Sequence, residues 1–128
     1  MAFKLGVLLR NARLDATNAN LGSSATLKIF SGAVPANCAA ADPSGLLATI
    51  TLPATPFAAA SGGVLTKSGT WSTTGSAAGT AASFRIYDSS SNCAMQGNVT
   101  TDLILDNTSI SIGQAITVTA FNDTAGNA

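Results

Sequence analysis

The residues that carry chemistry in this chain are few, and none stands at a spacing that builds a reactive site. There is no His and no Glu; all six acidic residues are Asp. Without His, neither a Ser-His-Asp nor a Cys-His arrangement can be assembled, and the commonest general bases and metal ligands are missing. Lys67 and Ser68 have the composition of a Ser-Lys dyad, but adjacent strand residues project to opposite faces. Asp102 and Asp106 read as a carboxylate pair only until their setting is considered: both flank a short strand, where Asp ends structure. Gly75-Ser76-Ala77-Ala78-Gly79 has glycines without the Lys-Ser/Thr of a phosphate loop. Asp88, Ser90 and Asn92 alternate oxygens as the first half of a calcium loop does, yet the Gly and the closing Glu are absent, so a hairpin turn is the better reading. Trp71 and Tyr87 are the rings on which a sugar would stack, and each lies at a strand end. A lone Trp in a small β domain is more often a core plug. The sequence therefore implies no enzyme, no metal and no cofactor.

Composition narrows the class further. One domain is expected from 128 residues. Charged residues make up 9% of the chain, against roughly 25% in an ordinary soluble domain. Lys and Arg balance Asp, six against six. Ala, Ser, Thr and Gly together exceed half of the sequence. A free monomer is usually kept soluble by interspersed charge, so so neutral a surface implies that neighbours cover it. Six scattered cations do not form the cluster that phosphate binding needs, which argues against nucleic acid. No run reaches the roughly 18 apolar residues of a membrane span, and Arg10 and Arg13 interrupt the opening apolar stretch before a secretory core is complete. Synthesis in the cytoplasm is expected, with Cys38 and Cys93 reduced there. A Cys38–Cys93 disulfide requires that the fold bring the two together, which spacing alone does not show.

The elements follow from periodicity. Residues 4–20 read as a helix or helical arm, since Leu5, Leu8, Leu9, Ala12, Ala16 and Ala19 recur at spacings of three and four, with Arg10, Arg13 and Asn18 off that stripe. Gly6 and the cations near the N-terminus weaken this helix, so its apolar stripe needs something to lie on. From Ala25 the period is two. Strands are expected over Ala25–Phe30, Leu46–Leu52, Val64–Trp71, Ala81–Tyr87, Cys93–Val99, Leu103–Leu105 and Ala115–Phe121. In the second, Leu46, Ala48, Ile50 and Leu52 should face inward; in the last, Ile116, Val118 and Ala120 should, with Phe121 outward. Stretches 54–63 and 73–82 read as loops. Turn chemistry about every ten residues predicts a mainly β fold, an antiparallel β-sandwich of jelly-roll or immunoglobulin type, over 23–128, behind an N-terminal helical arm at 1–22.

Several segments carry a resemblance: LGVLLRNARLDA at 5–16, TLKIFSGAVPANCAAAD at 26–42, LATITLP at 47–53, KSGTW at 67–71, FRIYD at 84–88 and TAGNA at 124–128. Together they resemble a family of small structural proteins of tailed bacteriophages and prophages, and the likeness spans nearly the whole chain. It implies a virion component, most simply a capsid decoration (cement) protein on the outer surface of the head. A tail, neck or fibre component contacting the host is the alternative. The partners implied are the major capsid protein and further copies of the chain, as a dimer or trimer. In the expected arm, Leu5, Leu8 and Leu9 would bury against the shell or a sister subunit, and Lys4, Arg10 and Arg13 would meet acidic surface. The plainer expectation is that the helix only closes its own domain.

Overall fold

The computed structural model describes residues 3–125. The last three residues of the terminal TAGNA string, and the first two of the expected arm, lie outside them. The fold is mainly β, with one N-terminal helix and antiparallel sheets. Helix α1 spans Val7–Leu21. Ten strands follow: β1 Thr26–Phe30, β2 Leu46–Thr51, β3 Val64–Thr66, β4 Ser72–Thr74, β5 Gly79–Thr80, β6 Ser83–Tyr87, β7 Cys93–Asn98, β8 Leu103–Leu105, β9 Ser109–Ile110 and β10 Ala115–Thr124.

One sheet has the order β2-β1-β6-β7. Its inner face carries Leu27, Ile29, Ile50, Phe84 and Ile86, all buried. The second is organised by β10, which pairs β4, β8 and β3 along successive stretches of its length. The run from β3 to β4 follows one edge of β10, Lys67 N donating to Phe121 O and Val118 N to Trp71 O. Asp106 N donates to Thr117 O. Adjacent strand residues aim their backbone groups at opposite edges, so β8 holds the other edge of β10. The short strand β5, inside the expected loop 73–82, pairs with β9 to add a further small sheet. Both large sheets, together with Leu14 and Leu21 of α1, contribute to one buried cluster. Phe84 meets Phe121 edge to face at 5.5 Å, and Phe57, Trp71 and Phe121 pack around one another.

Two inward-facing expectations are overturned at β-bulges. Between Ile29 and Phe30 the register slips, so that Ile29 lies opposite Ala48 and Phe30 opposite Leu46. Leu47 is the extra residue and turns inward, leaving Leu46 41% exposed. A second slip at Val118/Ala120 makes Thr119 the extra residue, after which Phe121 is buried and Ala120 only partly so. Strict alternation holds up to a bulge and inverts beyond it. The expected strand Val64–Trp71 also stops at Thr66. Trp71 O still accepts from Val118 N, while its side chain enters the core with 0% exposure and its indole N–H donates to Ser68 O at 3.2 Å.

Candidate functional site

The side chains with chemical potential are consumed by structure. Asp102 Oδ2 accepts the Asn98 amide at 2.8 Å, and Asp106 Oδ1 accepts that of Thr117 at 3.1 Å. Asp88 Oδ1 accepts both Ser90 N and Asn92 N at 2.9 Å, which closes the hairpin and holds its carboxyl below the usual carboxylate range. Lys67 Nζ donates to Gly69 O and sits 5.9 Å from the Trp71 ring centre. Tyr87 is buried at 8% exposure. With Trp71 also inside, neither ring offers a face to a sugar, and the saccharide reading ends there. Among the described residues no group of three or more Cys or Asp forms a metal cluster, and no helix is long and apolar enough to cross a membrane.

A polar cluster that the sequence did not announce lies on the outer face of the β2-β1-β6-β7 sheet. Lys28, Arg85 and Gln96 are cross-strand neighbours there, under the 31–45 loop. Arg85 is 2% exposed. It donates to Gln96 Oε1, Asp42 Oδ1, Asn37 O and Ala40 O, at 2.8–3.2 Å. The Tyr87 hydroxyl donates to the same Asp42 oxygen. These bonds, with that from Tyr87 foremost, lower the Asp42 pKa, while burial and the Asp42 carboxylate push the Tyr87 hydroxyl up to about 12. Cys38, in the same loop, is joined to Cys93 at the start of β7, Cα to Cα 5.4 Å. The expectation of two reduced thiols gives way to a bridge, because the loop that Arg85 draws down brings Cys38 over the sheet edge.

Of the two expectations for helix α1, cover by its own domain does not hold for Leu8 and Leu9. At about 100° per residue, the stripe Leu5, Leu8, Leu9, Ala12, Ala16 and Ala19 faces away from the body of the domain. Leu8 is 82% and Leu9 53% exposed; Ala12, Ala16 and Ala19 are exposed as well, and Leu5 is half-buried. The side turned to the domain is the opposite one, with Leu14 and Leu21 buried, Asn11 and Asn18 half-buried and Asp15 at its exposed margin. Its polar members bind backbone of the 57–63 loop: Asn18 takes both Phe57 N–H and Phe57 C=O, Asp15 accepts from Ala60 N at 2.7 Å, and Asn11 from Gly63 N at 2.8 Å. That loop makes only isolated bridges to its neighbours. Its amides need partners, and helix side chains at three- and four-residue spacing provide them.

The helix is thus docked by side chains, since its own ends are poor. Gly6 gives no side-chain cap, and the first turn has no acid to meet the dipole. At the C-terminus Gly22 adopts φ 76°, and the Leu21 carbonyl accepts from Ser89 N and Ser89 Oγ. Of the six expected contact residues, Lys4, Leu8, Leu9 and Arg13 lie exposed together. Arg10 is half-buried, bonding Leu5 O through Nε at 3.2 Å. A rigidly held helix therefore presents an apolar ridge flanked by two cations. The chain matches no family model, no curated protein and no solved structure.

Proposed function

We propose that this protein is a non-enzymatic structural component of a virion, a decoration protein that binds and stabilises the head of a tailed phage. The observation that carries the reading is the outward apolar face of α1. Exposing Leu8 and Leu9 while Asn11, Asp15 and Asn18 anchor the opposite side makes sense when something covers the leucines. Three exposed Leu and Phe side chains, among them Phe3 at 58% exposure, offer several kcal/mol of contact energy at about 25 cal/mol per Å² before ordering costs. Multiplicity then raises avidity.

Other features support the same reading. The surface is nearly neutral and rich in small residues, and the resemblance to small phage structural proteins points to an assembled particle. The sheets, packed around one core, would form the sandwich that serves as a rigid head, with α1 as its contact ridge. A disulfide suits a protein whose working place is the oxidising exterior. Counting copies in purified particles against the major capsid protein tests the proposal. A fixed whole-number ratio to capsid subunits or capsomers is expected, as point-group symmetry requires. A handful of copies per particle would transfer the protein to the tail, neck or fibre, and its absence from particles would end the proposal.

A further inference from the structure

Charge is segregated along this neutral chain. Lys4, Arg10 and Arg13 lie in or beside α1, whereas no Lys or Arg follows Arg85, and Asp102, Asp106 and Asp123 fall in that cation-free part. Arg85–Asp42 is the single salt bridge among the described residues, so Lys4, Arg13, Asp102 and Asp123 make no ion pair with any other described residue of their own copy. Asp102 and Asp123 line a groove between β7 and the C-terminal part of β10. A cavity of about 250 Å³ there has Phe84, Met95 and Phe121 as its apolar floor. A second of about 230 Å³ continues past Asp102 and Phe121 to Ile104, which is 40% exposed. The helix ridge has complementary properties: leucines to fill an apolar floor and cations to meet the carboxylates. It cannot reach the groove in the same copy. α1 packs at the β3 edge of β10, and the groove opens toward β8 on the other edge.

We propose that the groove receives the α1 ridge of a second copy of this chain, with Leu8 and Leu9 over the floor and Lys4 and Arg13 against Asp102 and Asp123. The inference rests on reading the ridge as an assembly contact and names its occupant. Both halves of the contact are on one chain and on different surfaces, so the association is head-to-tail. It closes into a ring where the rotation permits and otherwise continues as an open array, which suits lateral contact between neighbours on a shell. One helix face buries less than the ~1,000 Å² of a stable complex, so the contact is weak in solution and weakened by salt.

Sedimentation of the full chain over a concentration series tests this, with charge exchange as the discriminating step. Wild type is expected to self-associate reversibly, and its association constant to fall about fivefold or more when low salt is replaced by high salt. Lys4→Asp with Arg13→Asp, and separately Asp123→Lys, are each expected to remain monomeric; an equimolar mixture of the two is expected to associate again. Ile104→Asp gives a second groove variant, at an exposed apolar side chain, and should also be monomeric. Undiminished self-association of Asp123→Lys and Ile104→Asp would overturn the proposal in favour of pairing between two helix ridges. Failure of the mixture to associate, or a wild type that is monomeric throughout, would overturn it too. A monomeric chain that still attaches to particles sinks this inference and leaves the functional proposal standing; a self-associating chain that is never found on particles does the reverse.

Discussion

Leu8→Asp combined with Leu9→Asp is expected to abolish attachment to particles, by about 100-fold or more in affinity, while the isolated protein melts within about 2 °C of wild type. The two leucines touch little of their own domain, and substitutions at such positions usually change stability by less than about 0.5 kcal/mol. The helix dipole adds a favourable sign: the first turn of α1 contains no acid, so a carboxylate there meets unpaired N–H groups that attract it. The loss therefore belongs to the covered surface, with each buried leucine contributing about 1.5–3 kcal/mol. Removing residues 1–20 outright is a poorer experiment. It takes away Leu14 from the core and the Asn18 bonds to Phe57, so lost binding would not separate an exposed contact from a damaged fold. Attachment of the double variant at wild-type strength, measured by co-sedimentation with shells, would show that the ridge is not the contact.

Arg85→Met is expected to destabilise the protein by about 3 kcal/mol, read as a lowered denaturant midpoint at unchanged slope. Methionine fills much of the volume, but Asn37 O, Ala40 O and Gln96 Oε1 lose their donor, and buried acceptors left alone are costly. The value stands at the low end for a broken buried pair because the Asp42 side chain is 48% exposed, so water can solvate the carboxylate that remains. For the same reason Asp42→Asn should cost under about 1 kcal/mol. An Arg85→Met protein as stable as wild type would mean that the Cys38–Cys93 bridge alone holds the 31–45 loop.

Much of the strand layout was legible, because seven runs alternate with period two between turn residues, and β1, β2, β6, β7, β8 and β10 fall within one to three residues of those runs. What escaped has physical causes. Bulges at Leu47 and Thr119 invert the inward face without altering composition, and no single-strand pattern reveals where a partner strand will slip. The helix is legible from its periodicity, but which face lies on its own domain is not: Leu14 and Leu21 are buried there, and Leu8 and Leu9 stay outside. Apolar periodicity marks the face that avoids water, whether its cover comes from the same chain or from another. Here the body of the domain required hydrogen-bond acceptors for the amides of Ala60 and Gly63, which Asp15 and Asn11 supply, and the leucines remained outside. Arg85 gave no signal at all: a lone cation in FRIYD reads as an outward strand position, which it is, until a distant loop folds over it. Cys38 and Cys93, 55 residues apart, meet for the same reason.

An assembly role for this surface is tested most directly by heating particles that carry the protein and particles that lack it, and recording the temperature at which the genome is released. Shells without it are expected to release DNA at a lower temperature, with added wild-type protein restoring the loss and the Leu8→Asp, Leu9→Asp variant failing to do so. Release at the same temperature in all four preparations would contradict a stabilising role on the head.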